Sequence, residues 1–220
     1  MKARKILVSL AALALVAALS IAGTLAYLTD KGEVTNTFTV GKLDIVLNEA
    51  KTDVNGVADT EADRVYANQY KIMPGHTYAK DPTVFVQPSS EASYIFIAVK
   101  NELGALEATQ SDAYDTIATQ ITKNGWTKVT DDLKTGTVAD GYTVYYKAQT
   151  ATNDTTTVKL DIFKTFKIAD KADEETNYGS FDGKIIVLAY AVQQDGFEGY
   201  ADAWEKAGFT VPAATTTAQG

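Results

Sequence analysis

Lys184-Ile-Ile-Val-Leu-Ala-Tyr-Ala-Val-Gln193 is the stretch on which the fold turns. Residues 185–192 are apolar or aromatic without a break, between two polar ends. A run of that length, rich in β-branched side chains, reads as a strand. Apolar character on both alternating sides predicts a central strand covered on both faces. Tyr94-Ile-Phe-Ile-Ala-Val99 has the same character and reads as a second buried strand.

Working outward, the other strands are half-buried. Leu43, Ile45 and Leu47 alternate against Asp44, Val46 and Asn48, a period of two. Thr35, Thr37 and Thr39 alternate in the same way with Val34, Asn36, Phe38 and Val40. Thr83-Val-Phe-Val86 is a short strand ended by Pro88-Ser-Ser90. Met73-Pro-Gly-His76 reads as a type II turn, with proline at its second position and glycine at its third. Tyr142, Val144 and Tyr146 share one face of a strand, and residues 158–168 read as a strand with a bend. Two helices interrupt this pattern. One is expected from a Ser111 cap to about Lys123, with Ala113, Ile117 and Ile121 at helical spacing. The other spans about 198–207, with Trp204 facing inward and Gly208 stopping it. Residues 51–63 and 170–182 read as polar loops, and 210–220 as a loose Thr/Ala-rich tail. Strands without regularly alternating helices predict a mainly β protein. The expected architecture is a two-sheet β-sandwich of jelly-roll type with one or two inserted helices.

Composition removes many functions. The 220-residue chain carries 29 threonines and 12 tyrosines but no cysteine, and its one histidine is His76. Disulfides, thiolate metal sites and a cysteine nucleophile are therefore excluded, as is a metal site with two histidines from one chain. Beyond residue 26 there are 17 basic against 28 acidic side chains, a net −11. That balance argues against nucleic acid as a partner, because phosphates need a basic face.

The amino terminus reads as an export signal. Lys2, Arg4 and Lys5 precede 6–22, a stretch without charge whose only polar residues are Ser9 and Ser20. Small side chains at Thr24 and Ala26 place cleavage between Ala26 and Tyr27, with a second candidate site after Ala22. Residues 1–26 are thus the expected signal peptide and 27–209 the sandwich, with 27–41 freed at its front.

No catalytic constellation stands out. His76 lies in a turn, and Gly-x-Ser-x-Gly, His-Glu-x-x-His and the phosphate-loop motifs are absent. Asp53, Asn55, Asp59, Glu61 and Asp63 form an oxygen-rich loop that leaves calcium open as a ligand, although a solvated loop is the favoured reading and the spacing is not that of an EF-hand. Asp170, Asp173, Glu174 and Glu175 are read the same way. No other cofactor is expected. Tyr142, Tyr145 and Tyr146 could stack sugars, but cross-strand packing is favoured for them.

The join between signal and mature chain, Gly23-Thr-Leu-Ala-Tyr-Leu-Thr-Asp-Lys31 followed by Asn36-Thr-Phe-Thr-Val-Gly-Lys-Leu-Asp-Ile45, resembles the TasA/camelysin family of exported Gram-positive proteins. Ile72-Met-Pro-Gly75, Lys80-Asp-Pro82, Leu160-Asp-Ile-Phe163, Ala189-Tyr-Ala-Val-Gln193 and Ala203-Trp204 are similar to later landmarks of that family. His76 departs from it, since an acidic residue is usual after that Pro-Gly. The resemblance implies a jelly-roll protein of the extracellular biofilm matrix or cell surface. It implies release by a signal peptidase of the SipW type and self-association into a homopolymeric fibre, and leaves open an accessory protein that anchors or nucleates it. The amino-terminal segment would add as a strand to the next subunit, through Val34, Phe38 and Val40. A monomeric surface adhesin or binding module is the alternative, with a camelysin-like metalloprotease ranked below it. Camelysin is described as a casein-cleaving metalloprotease, an activity this chain's lack of a zinc motif does not carry over; no enzyme is expected.

Overall fold

The computed structural model describes residues 29–31, 42–170 and 183–212. Over these the chain is mainly β, built of antiparallel sheets with two short helices, an arrangement consistent with the expected β-sandwich. The strands are β1 (Thr29–Lys31), β2 (Ile45–Asn48), β3 (Thr77–Ala79), β4 (Thr83–Val86) and β5 (Ser93–Asn101), then β6 (Thr127–Lys128), β7 (Thr143–Gln149), β8 (Val158–Asp161), β9 (Thr165–Lys167) and β10 (Ile185–Gln193). The helices are α1 (Ile117–Lys123) and α2 (Tyr200–Lys206). A five-stranded sheet runs β1-β10-β5-β7-β6, a three-stranded sheet β2-β4-β8, and β3 pairs with β9.

Alternation along β5 explains how the layers are held. Ile95, Ile97 and Val99 enter one core, shared with Val84 and Val86 of β4, Leu160 of β8 and Phe166 of β9. Phe96 and Ala98 point the opposite way into a second core, with Trp204 of α2, Phe209 and Val211. The larger sheet is therefore apolar on both faces and covered on both. Each fully buried Ile or Phe contributes on the order of 1.5–3 kcal/mol of transfer free energy. Such burial carries a chain that has no disulfide.

The central strand is β5 rather than β10. Over a nine-residue register, from Ile185↔Asn101 to Gln193↔Ser93, β10 lies alongside it. Among the described residues, the other neighbour of β10 is β1. Residues 185–188 are half-buried, where the sequence pattern predicts full cover.

Other expectations hold with adjusted bounds. The turn at Pro74-Gly75 closes with His76 N–H donating to Met73 O at 3.3 Å, and Gly75 has φ 71°. Residues 158–168 form two short strands, β8 and β9, with the bend between them. The first helix begins at Ile117, six residues after Ser111. Ser111 and Tyr114 instead pair with each other in a tight turn. Thr116 caps the helix by accepting from Thr119 N–H, and Glu107 Oε1 accepts from Ile117 N–H at 2.7 Å. Ile117 and Ile121 are buried as their spacing predicts, and Ala113 is exposed. Trp204 is fully buried, and its Nε1 donates to Thr137 Oγ1 at 3.0 Å. Packing continues past α2: Val211 N–H donates to Thr137 O and Val211 O accepts from Ala139 N–H. The tail segment 213–220, loop residues 171–182 and the strand expected over 34–40 lie outside the described residues.

Candidate functional site

Among the described residues, the outer edge of β10 is only partly paired. β1 pairs antiparallel with its last third only, Thr29↔Val192, Asp30↔Ala191 and Lys31↔Tyr190. Residues 185–189 have no strand on that side among the described residues. Their side chains are apolar on both faces: Ile185 and Val187 lean on the first core, Ile186 and Leu188 on the second. A bare edge offers every second N–H and C=O to another chain.

Three other described edges carry some protection. On β8, Lys159 and Asp161 form an ion pair at 3.2 Å, and Lys164 approaches the same carboxylate at 3.7 Å. The β6 edge is two residues long, both exposed. At the end of β2, Arg64 Nη2 donates to Asn48 O at 3.1 Å and Glu49 just beyond it pairs with Val65, so a loop covers that end of the strand. Charge, brevity and cover are the usual protections of sheet edges. None of them acts on residues 185–189 among the described residues.

Of the expected donor segment 27–41, only Thr29–Lys31 is described, and it pairs with its own subunit's sheet at an edge position. Ala26 and Tyr27, the expected cleavage pair, and Val34, Phe38 and Val40, the expected donor contacts, lie outside the described residues.

Among the described residues, donors for a catalytic metal do not come together. His76 is half-buried; its Nε2 lies 2.7 Å from Asn55 O and its ring meets Tyr78 edge-on at 4.5 Å. No group of three or more His, Asp or Glu side chains that could hold a metal ion occurs among the described residues. The oxygen-rich loop spends its carboxylates on itself. Asp53 Oδ1 accepts from the N–H groups of Asn55 and Val57, and Asp59 Oδ1 from that of Glu61. These are turn-forming bonds of the kind Asp makes to its own backbone. Asp173, Glu174 and Glu175 lie outside the described residues. The tyrosines pack: Tyr145 is in the first core, and Tyr146 stacks on Tyr200 with ring centres 4.2 Å apart.

A second feature is a buried polar cluster that the sequence pattern does not announce. Glu49 follows β2 and Lys80 follows β3, and their side chains pair at 2.6 Å with only 5% and 10% exposure. Asn68 Nδ2 donates to Glu49 Oε1 at 2.9 Å and to Ala50 O at 2.8 Å, while its Oδ1 accepts from Thr52 N–H at 2.8 Å. Lys80 Nζ also lies 5.9 Å from the centre of the Tyr70 ring. Burial pushes the Tyr70 phenol above its ordinary range, so its hydroxyl stays protonated and donates to Ala79 O. Beside this pair, Arg64 Nη1 meets Asp81 Oδ2 at 2.9 Å and Arg64 Nε donates to Asn48 Oδ1 at 2.6 Å. Asp81 Oδ1 accepts from Ala50 N–H at 2.6 Å. The backbone on either side of Glu49 and Lys80 is thereby pinned. In the sequence, Lys80-Asp81 stands out only as part of a turn-and-strand landmark. Its partners are 31 and 17 positions away, and no local spacing links them.

Among family models, that of the camelysin metallo-endopeptidases matches residues 2–73, which supports assignment of the chain to the TasA/camelysin family. No curated protein and no solved structure matches the chain.

Proposed function

We propose that this chain is an exported structural protein of the cell surface or extracellular biofilm matrix, assembling by strand exchange along β10. The observation that carries this reading is the apolar edge at 185–189, which no strand covers among the described residues, beside the three residues of β1. A strand added there gains backbone hydrogen bonds, and its alternate side chains meet the half-buried Ile and Val residues. The occupant is the amino-terminal segment of a second copy. Continuing the register of β1, in which Thr29 faces Val192, would set Val34 of the donor opposite Val187. A signal still joined to Ala26 would tether that segment at the membrane; cleavage before Tyr27 frees it. Export and assembly are then coupled by one cut.

Within one copy, Thr29–Lys31 pairs with its own β10, and an incoming strand would replace it there. Electron microscopy and sedimentation of chains starting at Tyr27 and at Gly41 test this. Fibres are expected from the first only. Fibres from both, or a chain from Tyr27 that stays monomeric at every concentration, overturn it; the second outcome leaves a monomeric surface adhesin. The metallo-endopeptidase activity that the matching family's name carries finds no donor set among the described residues, and no step is assigned to a metal here.

A further inference from the structure

The Glu49 carboxyl touches an amine and a primary carboxamide at once. Lys80 Nζ lies 2.6 Å from Oε2, and Asn68 Nδ2 lies 2.9 Å from Oε1. Donor–acceptor matching fixes how the carboxamide is turned: the reverse orientation would set its NH2 against Thr52 N–H and its oxygen against the Ala50 carbonyl. In the observed orientation, Thr52 N–H sits on Oδ1, where negative charge would gather if Cγ were attacked. The pair is nearly dry, so an acyl group there is shielded from hydrolysis.

We propose that Lys80 and Asn68 join in an intramolecular isopeptide bond, with Glu49 carrying the proton. The Lys80 ammonium gives a proton to the Glu49 carboxylate, and the freed electron pair attacks Asn68 Cγ. The Nζ–Cγ bond forms and the carbonyl pair moves onto Oδ1, facing the Thr52 N–H. Glu49 passes its proton to Nδ2, the Cγ–Nδ2 bond breaks, and the carbonyl re-forms. The second proton on Nζ leaves through the same carboxyl with the departing ammonia, as ammonium. One ammonium and one carboxamide thus become one secondary amide and one ammonium ion, with no oxidant and no cofactor. The product ties the loop after β2 to the end of β3, a covalent brace in a chain without cysteine. It does not depend on strand exchange.

Tryptic digestion of the purified full chain, followed by mass spectrometry, tests the proposal. Trypsin would cut after Arg64 and Lys71 but not after an acylated Lys80. The expected product is peptide 65–71 joined to peptide 72–100, lighter than the two together by one ammonia. Glu49→Gln keeps the shape but cannot move the proton, and its peptides are expected unlinked. Separate peptides at full mass from the wild-type chain overturn the proposal. So does an ammonia loss mapped to Asn55-Gly56 or Asn124-Gly125, where imide closure has the same mass. A linked product in Glu49→Gln overturns the role given to Glu49.

Discussion

At Gly56 a single hydrogen in place of a side chain lets the 53–57 turn lie on Tyr78. Its φ is +76°, and a Cβ there would sit 2.6 Å from Tyr78 Cδ1 and 2.9 Å from Tyr78 Cα. The tyrosine cannot retreat: it is fully buried, its hydroxyl donates to Lys71 O, and its ring stacks on Phe166 at 4.7 Å. Gly136 has a similar φ of +84° but would meet nothing within 4 Å. Gly56→Ala is therefore expected to destabilise by about 2–3 kcal/mol, against about 1 kcal/mol for Gly136→Ala. Denaturant unfolding of the two variants reads the difference, and equal losses would show that the approach to Tyr78 is relaxed at no cost. From sequence, Asn55-Gly56 marks a turn, but not the ring beneath it. The Glu49–Lys80 pair was hidden for the same reason, because a contact between distant residues leaves no periodicity.

Strands with an apolar period of two were legible because one physical rule, burial on a pleated surface, governs them. β4 matches its expected bounds, β5 and β10 lie within a residue or two of theirs, and Tyr142, Val144 and Tyr146 share a core as predicted. The start of α1 departs from the sequence expectation because Ser111 has the chemistry of a cap, whereas Glu107 and Thr116 supply the bonds. β3, β6 and β9 have two or three residues each, too few for a period to show. Where β5 ends and β10 begins, Glu102 holds the two together. It accepts from Lys184 N–H at 3.0 Å and pairs with Lys100 at 2.9 Å. The Lys100 ammonium, helped by that N–H, holds the carboxyl below its ordinary 4.5. A lowered value means that the ionised form favours the folded state. The contribution is complete above about 4.5 and fades as pH falls through the lowered value. Unfolding midpoints of wild type and Glu102→Gln, followed against pH, are expected to differ near neutrality and to converge in acid. A constant gap would show that the carboxylate's charge plays no part.

Across the whole molecule, one sheet serves two cores, and each core holds one of the two tryptophans. Trp126 lies with β5's Ile97 side and donates to Asp161 O; Trp204 lies with the Phe96 side. Because every β5 residue belongs to both packings through its backbone, the cores should melt together. Single-tryptophan variants, Trp126→Phe and Trp204→Phe, are expected to report fluorescence transitions of equal width, each coinciding with loss of β signal by circular dichroism in the same variant. A fluorescence change that precedes the circular dichroism change would show that one layer peels off first. The layering itself could be anticipated from 94–99 and 185–192, but the unequal flanks could not, since they depend on which neighbour runs short. That inequality has a directional consequence. With lysine-fenced β8 on one layer and, among the described residues, a partly unpaired β10 on the other, a copy that gives from its front end and receives at β10 contacts its two neighbours through unlike surfaces. Such heterologous contacts do not close on themselves in pairs. A chain of these subunits would have a head and a tail, and its two tips would add new members at different speeds.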